Sequence, residues 1–224
     1  MTVVTLYRRP MPPVTMTALD ELVNAGAVGR FVPAPDLEQW VRDVFIADGG
    51  PLAFGHHRHL QDARVACLWT NVEMVKQGQR KIGQAEMPRP PTTADVWGRA
   101  KWEQQLCEWF GDVPDFTLTF DAVWATEADD RVWCSVVDHE LMHCAQATDA
   151  YGEPKFNQRT GKPIYAVLGH PVEEFPDVVG RFGVQAAAGE TVDLVISAAK
   201  PPSVTDAMVS QACGRAVPAL KRRA

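Results

Sequence analysis

Residues 129–148 constrain most strongly what this chain can fold into. Val132, Trp133, Val136 and Val137 recur at helical spacing. They predict a strongly apolar helix from Arg131 to about Thr148, capped by Asp129 or Asp130. The same run contains His139-Glu140-Leu141-Met142-His143. On a helix, positions i and i+4 differ by about 40° around the axis and about 6 Å along it, so both imidazoles reach one point. Glu140 lies about 60° from His143 on that wheel, where its carboxylate borders the point without occupying it. Burying two histidines and a glutamate is unfavourable unless they have partners. The spacing suits a zinc ion held by two ring nitrogens, beside a carboxylate able to take a proton from water. H-E-x-x-H arises by chance in roughly one such chain in a hundred. Its place in an apolar helix makes two solvated surface histidines the weaker reading.

The flanking sequence predicts an α+β fold. Residues 1–16 read as extended and loosely held. Helices are expected over Thr17–Val28, from Asp36 through Phe45, and from Asp95 to Phe110, where Gly111 closes the last. Strands are expected at Ala63–Trp69, Lys81–Met87, Phe116–Trp124 and Val192–Ile196. Residues 151–165 carry turn signals at Gly152-Glu153-Pro154 and Gly161-Lys162-Pro163, as in a hairpin or ordered loop. A further helix is expected from His170-Pro171 to Gly183. The domain reading is an extended segment over 1–16, one domain over 17–198, and a linker with a short helix and basic tail over 199–224.

At 224 residues with 46% hydrophobic content, the chain is long enough for one well-buried core. Its 22 basic and 28 acidic residues leave a net charge of −6, which speaks against general nucleic-acid binding. No apolar stretch reaches the length of a membrane span, and Pro10, Pro12 and Pro13 stand where a secretory signal would need an apolar run. Cys67, Cys107, Cys134, Cys144 and Cys213 are widely spaced and odd in number, so a reduced, cytoplasmic compartment is expected. The sequence leaves the oligomeric state undetermined.

A hydrolytic zinc site needs a third protein ligand and one open position. His170, at the start of the later helix, is the first choice. Glu173 or Glu174, one turn on, come next. Asp149, six residues past His143, comes last: in an unbroken helix it would sit about 240° away from that histidine.

These residues resemble a metallopeptidase family found in bacteriophages and prophages. The likeness lies in His139-Glu140-Leu141-Met142-His143-Cys144, then Asp149, Gly152 and Pro154, then Gly169-His170-Pro171-Val172-Glu173-Glu174-Phe175 and Arg181-Phe182-Gly183. The strand Ala63–Thr70 is also family-like. Pro171 replaces the family's Asp and Phe182 its Tyr, and Pro171 thereby removes a carboxylate beside the His170 position. The likeness spans about Asp36 to Gly183. The arrangement is also similar to SprT-like zinc proteases, where a separate histidine opens a later helix. The resemblance implies a zincin-like fold with a small sheet packed beside the motif helix. It implies one zinc per chain held by His139, His143 and His170, with Glu140 as general base acting on a peptide or protein substrate. Two alternatives accompany it: a zinc-containing protein-binding module without hydrolytic activity, and a DNA-associated protease, which the net charge disfavours.

Other residues have ordinary readings beside sharper ones. His56, His57 and His59 form a polar turn, with a second metal site or a place at the active-site rim as the alternatives. Tyr151 and Tyr165 flank the segment before His170 and are candidates for oxyanion stabilisation, though tyrosines mostly pack. Cys144 reads as a small buried apolar group. The Phe116–Trp124 strand is a candidate for pairing with an extended peptide.

Overall fold

Apolar runs of β-branched and aromatic residues bury best where a strand has neighbours on both sides. That is the position of Val65–Thr70 (β2) and Phe116–Asp121 (β6), which pair in parallel at the centre of a four-stranded sheet. The computed structural model describes residues 7–17, 30–76, 78–170, 172, 179–181, 183–184 and 190–214. In it, Phe31–Pro33 (β1) flanks β2 and Gly83–Glu86 (β5) flanks β6, both antiparallel, giving the order β1-β2-β6-β5. Val75–Lys76 (β3) and Gln79–Arg80 (β4) form a small ribbon, and Cys144–Gln146 (β7) pairs with Tyr165–Val167 (β8).

Helices among the described residues include Pro35–Val41 (α1), Val96–Phe110 (α2), Ala122–Glu127 (α3), Asp130–His143 (α4), Thr191–Ala198 (α5) and Asp206–Cys213 (α6). The fold is thus mixed α+β, with small sheets and several helices. Three helices start where an aspartate accepts from a free backbone N–H: Asp95 from Gly98, Asp121 from Trp124 and Asp129 from Val132. Gly111 ends α2 at φ 86°, donating to the Cys107 carbonyl. Facing partners in the register Trp69↔Phe120↔Gly83 share one side of the sheet. Trp133 of α4 packs there, 5.5 Å from the Trp69 ring and 5.1 Å from Phe120.

Several expectations are corrected. Val192–Ile196 is helical, within α5, and Leu194, Val195 and Ile196 are about half exposed; a short, mostly apolar segment does not by itself separate strand from helix. The Phe116–Trp124 strand stops at Asp121, because that carboxylate caps α3. The motif helix ends at His143 rather than near Thr148. The helix after Asp36 is α1 followed by a π-turn over Arg42–Ile46, with Ala34 rather than Asp36 at its cap. The N-terminal segment is held at Arg9, which is buried: it pairs with Asp130 at 2.9 Å, donates to the Ala125 and Ala128 carbonyls, and lies over the Trp133 ring. The helix expected over Thr17–Val28 and most of that over 170–183, with Glu173 and Glu174, fall outside the described residues, as does the basic end at Lys221–Arg223. Among the described residues no helix is long and apolar enough to cross a membrane.

Candidate metal centre

The last turns of α4 present His139, Glu140 and His143. The helix stops there because Cys144 turns extended (φ −81°, ψ 92°) and pairs with Val167. This reversal brings the third histidine. Leu168, next after β8, donates its N–H to the His143 carbonyl at 2.9 Å and accepts from His143 Nδ1 at 2.6 Å. Two residues on, His170 Nε2 lies 3.1 Å from His139 Nε2, and His143 Nε2 lies 3.3 Å from the same atom. One ligating atom from each of the three rings falls within 4.8 Å of the others, a group that could hold a metal ion.

The protonation pattern suits a cation. With Nδ1–H of His143 donating to Leu168, the neutral ring keeps its lone pair on Nε2, aimed into the cluster. Burial, then the neighbouring His143 and His170, hold His139 below the ordinary histidine value, with Asp138 opposing. Its neutral, ligating form is favoured accordingly.

Glu140 is buried beside this cluster, at 6% exposure. Burial pushes its carboxyl up, while His143, the Ala85 N–H and Lys81 pull it down. Gly83 faces it so closely that an added Cβ would sit 2.7 Å from Oε1. The Ile82 carbonyl accepts from Asp121 N–H, so strand alternation turns the backbone of Gly83 and Ala85 to the outer edge of the sheet. The Ala85 N–H meets Glu140 there. An open cleft of about 560 Å³ runs between this edge and residues 167–170, with His139, Glu140, His143 and His170 along it and Lys76 and Lys81 at its margin.

His139, His143 and His170 are thus brought together with Glu140. Asp149 is not: its Oδ1 accepts from the Tyr151 and Glu153 N–H groups in the turn after β7. Cys144 is buried with its thiol pushed up by desolvation, as a small apolar group would be. Neither tyrosine lines the cleft. Tyr151 is 91% exposed, and Tyr165 packs edge-on against Phe116, its phenol pushed up to about 12 chiefly by burial. The Phe116–Trp124 strand cannot accept a peptide, since β6 has a strand on each side; the edge strands are β1 and β5, and β5 is the one beside Glu140. The polar-turn reading of Gly55–His59 fails at His57, which is fully buried in a 3₁₀ segment, Gly55–Gln61. Sequence reasoning also missed the contacts of Gly83 and Ala85 with Glu140. A glycine inside the Lys81–Met87 strand is itself a sign of close approach by another group.

Compared with known families, residues 31–200 match the model described as "Putative phage metallopeptidase". No curated protein and no solved structure matches the chain. The family match covers about three quarters of the sequence, and on that basis the chain belongs to the phage metallopeptidase family.

Proposed function

We propose that the protein is a zinc-dependent peptidase of the zincin type, with His139, His143 and His170 as ligands and Glu140 as general base. The observation that carries this reading is the convergence of three imidazoles next to a buried carboxylate at the open edge of a sheet. Four-coordinate zinc with bonds of about 2.0–2.1 Å separates its ligand nitrogens by about 3.3 Å, and the two Nε2 distances to His139 are 3.3 and 3.1 Å. Zinc bound there would lower the pKa of a water toward about 7 and polarise the scissile carbonyl.

The chain's own residues supply the rest. Glu140 takes the proton from the attacking water and delivers it to the leaving amine. The Ala85 N–H and the flank of Gly83 fix its carboxylate. The outward backbone of Gly83 and the Ala85 carbonyl offer ladder partners to an extended peptide, which would be laid along β5 past Glu140 by strand addition. The odd number and wide spacing of the five cysteines support a reducing, cytoplasmic setting.

Metal analysis of the purified chain is expected to give about one zinc per molecule. Glu140→Gln should keep that zinc and abolish hydrolysis of an unfolded protein substrate such as casein. A chain without zinc, or hydrolysis that survives Glu140→Gln, would sink the reading.

A further inference from the structure

The three histidines of the 3₁₀ segment Gly55–Gln61 have no place in the cleft, yet two of them hold the chain at either end of the motif. His57, fully buried, donates from Nε2 to Asp138 Oδ1 at 2.7 Å. Asp138 directly precedes His139. His59 donates from Nε2 to the Cys144 carbonyl at 2.7 Å, and Cys144 directly follows His143. Its Nδ1 lies 3.0 Å from the carbonyl of His56, within the same turn.

The two bonds act at the places where the ligand geometry is decided. Asp138 lies about one and a half turns before the end of α4, so holding its carboxylate restrains the rotation of the helix about its axis, and with it the direction of His139. Cys144 is the hinge between α4 and β7. It pairs with Val167, and β8 leads through Leu168 to His170. A bond on the Cys144 carbonyl therefore restrains His143 and His170 together. Both anchors come from one short segment that also contacts the core through Leu60, which is fully buried.

We infer that His57 and His59 are positioning residues that clamp the 138–144 segment from both ends and pre-organise the three-histidine site for its metal. This rests on the zinc reading above. Preorganised ligands bind a metal without paying for ordering at that moment, and removing the outer supports of a metal site typically costs 10–100-fold in affinity. The unpartnered Nδ1 of His57 leaves that ring a single hydrogen bond to make, and it makes it to Asp138.

The test is zinc affinity by competition with a chromophoric chelator, with the cobalt(II) visible spectrum as a report on ligand geometry. Because His57 is buried, its bond is cut from the exposed side with Asp138→Ala, and the other bond with His59→Ala. Each is expected to weaken zinc by about tenfold or more and to shift or broaden the cobalt bands. Asp138→Asn keeps an acceptor and His59→Gln keeps a donor, so both should return to within about threefold of the parent. A purely structural role would lower the melting temperature of the metal-free chain and leave affinity and spectrum untouched; that result, or failure of the conservative variants to rescue, overturns the clamp. If the parent chain itself takes up no zinc, the metal reading falls, and the clamp with it.

Discussion

The face of α4 turned toward the sheet and the face turned toward the cleft are held by different forces. On the first, Trp133, Val137 and Leu141 are fully buried in one core cluster with Trp69 and Phe120. Helix α6 closes the flank, with Trp40 Nε1 donating to the Ala212 carbonyl and the Cys134 and Cys213 sulfurs 3.6 Å apart. On the second, His139 is on the exposed side and His143 is half-buried. Their order comes from hydrogen bonds at Leu168, Asp138 and Cys144. Apolar area fixes the helix in place non-directionally, whereas a ligand site needs directions, which only hydrogen bonds with defined donors and acceptors supply. The lesson is that stability and metal affinity should be separable by mutation along a single helix.

The sharpest separation is expected from His143→Ala. Zinc affinity should fall roughly 10³-fold or more, since a ligand and its support on Leu168 are both lost, while urea denaturation of the metal-free chain stays within about 0.5 kcal/mol of the parent. A large loss of metal-free stability would erase the division between the faces. Trp133→Ala is the mirror experiment: about 4 kcal/mol less stable by denaturant titration, from the lost transfer term and the cavity, with zinc stoichiometry unchanged in the fraction that remains folded. Arg9→Met should cost about 3 kcal/mol, because it breaks a buried pair with Asp130 and strips donors from two carbonyls. If its cost is below about 1 kcal/mol, the N-terminal segment does not belong to the core. Gly83→Ala should lower kcat by roughly tenfold to a hundredfold with KM and stability little changed, as the new methyl displaces the Glu140 carboxylate. An unchanged kcat would mean that Glu140 need not sit where Gly83 holds it.

The smallest effect is in pH. His139 is held below the ordinary value of 6.5 in the folded chain. The unfolded chain therefore binds a proton first as pH falls, so metal-free stability is full above about 6.5 and declines below it toward the folded-state value. His139→Asn should flatten this part of the stability profile measured between pH 7.5 and 5.5.

Much of this molecule is legible in particular residues. The aspartates at 95 and 129, Gly111, and the periodic Trp133 and Val137 mark helices α2 and α4 because caps and periodicity act within a few residues. The convergence of His139, His143 and Glu140 follows from the same local geometry. Less legible was where α4 ends. Nothing in Cys144-Ala145-Gln146 forbids another helical turn; what stops it is pairing with residues 165–167, a long-range event. His57 read as a surface turn residue because its partner, Asp138, lies 81 positions away.

What the chain determined by itself is a helix with one apolar side and one side bearing His139 and His143, since 3.6 residues per turn is a property of the backbone. Only the tertiary structure decided which third group joins the pair and what stands beside Glu140. Those depend on the β7–β8 reversal that carries His170 back and on β5 being the outer strand with Gly83 at the point of contact. Strand order and register are settled by pairing among distant segments competing for the same core, and no local pattern carries that information.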